Sequence, residues 1–202
     1  FMPTARRARP PPPAPAPVPT ARQLGRLASR EVLETPQGAA IRRAAEDRAA
    51  ILAIVASLSK PDRALLPDVA STVKALVERV AHLAQALHRL DESIDPRQIA
   101  ELDARIADVE SASDSPDGQR RLALFRRQRG TLQELAQHRA ALLHQLESAG
   151  LALGNLRLDL IKFRSSGGQA ALADVSTATQ EARALSRDIG VMLEAAADVK
   201  EL

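Results

Sequence analysis

Apolar residues recur along this chain at alternating spacings of three and four. Between residues 66 and 94 they are Leu66, Val69, Val73, Leu76, Val80, Leu83, Leu87, Leu90 and Ile94, a spacing that keeps one helical stripe against a partner along a supercoil. The pattern breaks at Pro96 and resumes with Ile99, Leu102, Ile106 and Val109. It returns as Phe125, Gln128, Leu132, Leu135, Arg139, Leu142, Leu146, Ala149, Leu153, Leu156, Leu160 and Phe163, and a last run is Val175, Ala178, Ala182, Leu185, Ile189, Met192, Ala196 and Val199. Single prolines at Pro36, Pro67, Pro96 and Pro116 mark helix starts, because proline at the first helical position gives up an N–H that has no partner there. The sequence predicts helices over 36–58, 67–93, 96–112, 117–165 and 169–200.

Two of these segments make matched arms, 67–112 and 117–165, around the turn at 113–118. Such arms fold into an antiparallel hairpin, each about 70 Å long at 1.5 Å per residue. Folding the register about residue 115 or 116 brings Arg139 near Asp91 and Glu92, and Gln128 near Asp103. Polar seam residues of this kind fix alignment at some cost in stability. Valine alternating with Leu76, Leu83 and Leu90 would suit a parallel zipper, but Ala70, Val77 and Ala84 widen the apolar stripe beyond one seam. That helix is expected to touch more than one neighbour. Helix 169–200 should return along the second arm and helix 36–58 should cover the base. The expected fold is all-α: a long antiparallel coiled-coil hairpin packed with flanking helices into an elongated bundle with a protruding tip, spanning 35–202.

Composition supports helix over any mixed fold. Of 202 residues, 45% are hydrophobic and 26% charged, with no Cys, Trp or Tyr and only three Phe. Ala, Leu, Arg, Glu and Gln lead, and these lose little side-chain freedom in a helix. The lack of cysteine excludes disulfides, a thiolate nucleophile and Cys-bound zinc. The longest uncharged apolar run, 49–59, is far short of the roughly 20 residues that span a bilayer. A cytoplasmic location, or one at the cytoplasmic membrane face, is the expectation. Phe1 precedes Met2, so the chain reads as a piece of a longer protein.

Charge is uneven. Residues 1–30 carry six arginines and no acid, and eight of the 13 prolines fall between Pro3 and Pro19. Such a segment is expected to be an extended polyproline-like tether, so 1–34 is read as a disordered linker. A second basic cluster, Arg120, Arg121, Arg126, Arg127 and Arg129, sits beside the turn and is the candidate surface for an anion or a partner. A peripheral membrane is one occupant in view; nucleic acid is disfavoured because no aromatics are interleaved to stack bases.

Catalytic patterns are weak. His82, His88, His138 and His144 are spaced by six within each pair, whereas two ligands on one helical face need three or four. Ser57 and Lys60 share the spacing of a penicillin-binding nucleophile without its companion motifs. Carboxylates are dispersed among arginines, as on a solvated helical surface. No catalytic residue, metal ligand or cofactor is assigned.

Four stretches, at 62–80 (DRALLPDVASTVKALVERV), 122–129 (LALFRRQR), 153–164 (LGNLRLDLIKFR) and 178–190 (ATQEARALSRDIG), together resemble the coiled-coil C-terminal tails of certain bacterial serine/threonine protein kinases. The likeness covers about 25–202. It implies a catalytic domain upstream, joined through the Pro-rich linker. No kinase residue carries over, since the chain has no Gly-rich loop, His-Arg-Asp or Asp-Phe-Gly. The resemblance implies a regulatory or oligomerising tail whose partners are a second copy, partner helices or the kinase domain; a membrane-associated helical-hairpin scaffold is the alternative.

Overall fold

A computed structural model describes residues 18–198, apart from 96, 113–114 and 167. The chain is an all-α bundle, with no strand among the described residues. Its elements are α1 (Ala21–Leu24), α2 (Arg30–Glu34), α3 (Pro36–Ser57), α4 (Lys60–Leu65), α5 (Val69–Ser93), α6 (Arg97–Ala112), α7 (Pro116–Ser166) and α8 (Gln169–Asp198).

Each start has a local cause. Thr35 accepts a hydrogen bond from the Gly38 N–H at 3.2 Å, with Pro36 following as the first helical residue. Ser59 accepts from the Asp62 N–H at 3.2 Å ahead of α4, and Asp68 accepts from the Ser71 N–H at 3.2 Å ahead of α5. These side chains satisfy N–H groups that the first turn leaves unpaired. The Ser71 hydroxyl and N–H both hold the Asp68 carboxyl below the usual aspartate range. A depressed carboxyl stabilises the fold above its ordinary range, so this cap is intact at neutral pH and is lost only in acid.

Helices α3, α5, α8 and the second half of α7 form the base. Consecutive helices run antiparallel, and the α5–α7 pair lies at the centre, touching α3 on one side and α8 on the other. The seam positions close the core: Val73, Leu76, Leu83 and Leu87 of α5 and Leu153, Leu156 and Leu160 of α7 are fully buried together with Ile41, Ile51 and Ile189. Ala171, Ala178 and Ala182 are buried along α8, so its backbone lies close to its neighbours. Val77 and Ala84 join the core as the widened stripe implies, but Ala70 is exposed.

Beyond Ser93 the molecule narrows to a two-helix tip. The α5–α6 break falls at Ile94 and Asp95, and α6 packs on α7. Helix α7 runs unbroken for 51 residues through base and tip, about 76 Å. At the junction Arg139 of α7 pairs with Asp91 of α5 through Nε and again at 3.5 Å through Nη2, while Gln37 of α3 donates to the same carboxylate at 2.8 Å. The Arg139–Asp91 alignment is the expected one. Nearer the turn, Asp103 meets Arg129 rather than Gln128, which is exposed.

The expected disordered linker over 1–34 requires correction within the described residues. Thr20 and Gln23 form a reciprocal capping box, with bonds of 3.3 and 2.8 Å, and start α1. Ser29 starts α2, whose Val32 is buried beside Ala28 against α3 and α5. The Leu27 carbonyl accepts from Gln85 of α5 at 2.8 Å. Burial of these apolar residues outweighs the arginine-rich composition up to residue 30, so the bundle includes 20–34; residues 1–17 lie outside the described residues. The last part of the expected helix 169–200, beyond 198, does too.

Two glycines, Gly150 and Gly154, interrupt the base half of α7. A Cβ at either meets no atom within 4 Å, so neither is needed for close packing. Glycine inside a helix costs roughly 0.5–1 kcal/mol relative to alanine. The double variant Gly150→Ala/Gly154→Ala should raise stability by about 1–2 kcal/mol in urea titration; a loss would mean that this face is occupied by another chain.

Candidate interaction surface

The five arginines picked out from the sequence lie on the first turns of α7, at the tip. Asp117 in the first turn and Ser115, which accepts from the Gly118 N–H at 3.1 Å, complete the helix start. Two of the five face back across the hairpin: Arg126 pairs with Glu110 at 2.6 Å, and Arg129 pairs with Asp103. Arg120 reaches Asp117 at 3.8 Å with both side chains exposed. Arg121 and Arg127 have no ion-pair partner among the described residues. Between 97 and 129, seven arginines stand against six carboxylates.

This is not a strongly positive surface. Exposed pairs of this type contribute at most about 1 kcal/mol each, so their effect is to set the alignment of α6 on α7. The sequence shows the arginine run but not the opposing acids, which come from 16 and 26 residues away.

Among these charges the tip keeps apolar side chains that are incompletely covered. Leu102 and Leu132 are buried between its two helices. Ile99, Ile106, Val109, Leu122, Phe125 and Leu135 are only half-buried, and Leu124 is 65% exposed. The physical reason is geometric: two helices enclose one seam, and apolar side chains flanking it need a third surface to leave water. The same heptads in the base are covered because α3 and α8 lie alongside.

No family model, curated protein or solved structure matches the chain. Among the described residues, no helix is long and apolar enough to cross a membrane.

Sequence reasoning missed two grooves in the base. One runs between α7 and α8, lined by Asn155, Leu158, Asp159, Asp174, Thr177 and Glu181. Beside it Lys162 pairs with Asp174 at 2.6 Å, which holds the ammonium above the usual lysine range. The other lies between α5 and α8, lined by Arg79, His82, Gln85, Arg89, Leu193 and Glu194. Its α5 residues share one helical face, a signal present in the sequence. Their facing residues on α8 depend on an axial alignment that no local pattern reveals. A contact of 3.3 Å between Arg183 and Thr72 marks that alignment.

The remaining candidates have ordinary structural partners. The Ser57 hydroxyl donates to the Ile54 carbonyl at 2.7 Å, a helix-internal bond, and Ser59 is a cap. His88 lies 3.5 Å from Glu92 one turn on. Asp47, the one charged side chain buried among the described residues, pairs with Arg157 at 3.0 Å and so ties α3 to α7.

Proposed function

We propose that this chain is a non-catalytic helical assembly module whose tip packs against a second copy of itself. The observation that carries the reading is the uncovered seam of the tip, where Ile106, Phe125 and Leu124 sit on two helices with no third packed against them. The base closes its own core around α5 and α7. The kinase resemblance then gives assembly a purpose: as the cytoplasmic tail of a bacterial serine/threonine protein kinase, the module would hold two catalytic domains together. Tethered domains meet at millimolar effective concentration, enough to drive phosphorylation of one by the other without new chemistry.

Light scattering with small-angle X-ray scattering on the whole chain tests this. A dimer or higher species is expected. Ile106→Lys combined with Leu124→Lys should weaken association at least about tenfold, since two buried aliphatic side chains are worth more than the 1.4 kcal/mol of a tenfold change. The melting temperature of the base should stay unchanged. An elongated monomer at every concentration would overturn the proposal.

A further inference from the structure

We infer that the groove between α5 and α8 is a phosphate-binding site, formed by Arg79, His82 and Arg89. The central observation is Arg79. Its side chain is half-buried, yet it makes no hydrogen bond or ion pair among the described residues. A guanidinium carries five donors in a rigid fork, and those of Arg79 stay open to solvent, free to take an acceptor that enters the groove.

Gly190 of α8 explains how the group comes to lie there. A Cβ at position 190 would stand 2.8 Å from Arg79 Nη2 and 3.1 Å from Cζ. The missing Cβ lets the guanidinium approach α8 this closely, and alanine here would make the side chain shift. Glycine within a helix is unfavourable, and here the space it leaves is filled by the Arg79 guanidinium.

The surroundings are biased toward an anion. Along α5, Arg79, His82 and Arg89 stand three and seven residues apart on one face, and all three line the groove. Arg89 donates through Nε to the Gln85 carbonyl at 3.3 Å, and its Nη groups have no other partner among the described residues. Among the described residues Glu194 is the one carboxylate of the lining, and it makes no ion pair with any of the three. The groove is open to solvent and roomy enough for a phosphoryl group, whose oxygens match the bidentate fork of arginine. This site is separate from the tip and does not depend on the assembly reading.

The test is titration of the whole chain with inorganic phosphate at constant ionic strength, followed by NMR of the arginine Nε–H groups. A parallel arm uses vesicles of phosphatidylcholine with and without phosphatidic acid. The expected result is a saturable shift of the Arg79 and Arg89 signals with phosphate, and its weakening by about tenfold in Arg79→Gln, the loss of one charge-assisted contact. Gly190→Ala should weaken phosphate binding comparably while leaving the melting temperature equal or higher, because alanine favours the helix and displaces only a side chain. Arg127→Gln at the tip should leave the titration unchanged. Binding to phosphatidic acid vesicles with no response to free phosphate would assign the site to a lipid headgroup. The proposal is overturned if neither phosphate source moves the Arg79 signal, or if Arg127→Gln weakens the response as much as Arg79→Gln.

Discussion

Replacing Leu83 by Asp is expected to unfold the base of the bundle. Leu83 is fully buried on α5, the helix that touches α3, α7 and α8. No water reaches an aspartate placed there, and no cationic side chain is buried among the described residues to pair with it. The charge must remain unpaired or take up a proton, and the leucine's packing is lost in either case; the combined cost is at least about 4 kcal/mol. Domain stabilities run about 5–15 kcal/mol, so the native population should collapse. Far-UV circular dichroism and a urea titration would register the loss. Leu146→Asp should cost less, because Leu146 retains 7% exposure and its replacement can lean toward solvent. Unchanged melting in the Leu83 variant would mean that the α5 seam faces elsewhere.

Gly38→Ala is expected to pull α2 away from the bundle. Its Cβ would stand 2.3 Å from the Leu33 carbonyl oxygen and 2.5 Å from that of Val32. These are backbone atoms, so no rotamer change relieves the overlap. The chain between α2 and α3 turns so tightly that Thr35 both ends one helix and caps the next. Overpacking of this kind costs about 1–3 kcal/mol. The relief available is detachment of α2, which exposes Val32 and Ala28. Amide exchange should accelerate over 20–34 while the core of α5 and α7 stays protected; uniform protection across both would refute the role given to Gly38.

The three-four periodicity made the long helices legible because burial in this fold repeats with the helix itself. Leu76, Leu83, Leu153 and Leu160 all fall where the seam places them. The Arg139–Asp91 pair was legible for a different reason: a hairpin with a short turn has one free parameter, the residue about which it folds. That parameter drifts farther out. From Asp91 to Asp103 is twelve residues, but their partners Arg139 and Arg129 are only ten apart. The α5–α6 break at Ile94 and Asp95 takes up the surplus, which is why Arg129 rather than Gln128 meets Asp103.

Short helices escaped for lack of periods. Neither α1, α2 nor α4 completes two turns, and only their caps, Thr20, Ser29 and Ser59, announce them. The tip's charge balance and the groove around Arg79 were illegible because both join helices distant in sequence. A run of arginines in one segment says nothing about which acids a fold brings opposite.

The Asp91 carboxylate receives both Arg139 and Gln37, so a single side chain joins three helices at the level where the tip leaves the base. One arm is broken beside this knot and the other is continuous. The tip thus stands on an asymmetric joint, broken on the α5–α6 side and continuous through α7. Tilting α6, about 24 Å long, by 10° would sweep its far end through roughly 4 Å. Gln37 lies in the first turn of α3, immediately after α2, so the joint at the foot of the tip is tied to the amino-terminal end of the bundle.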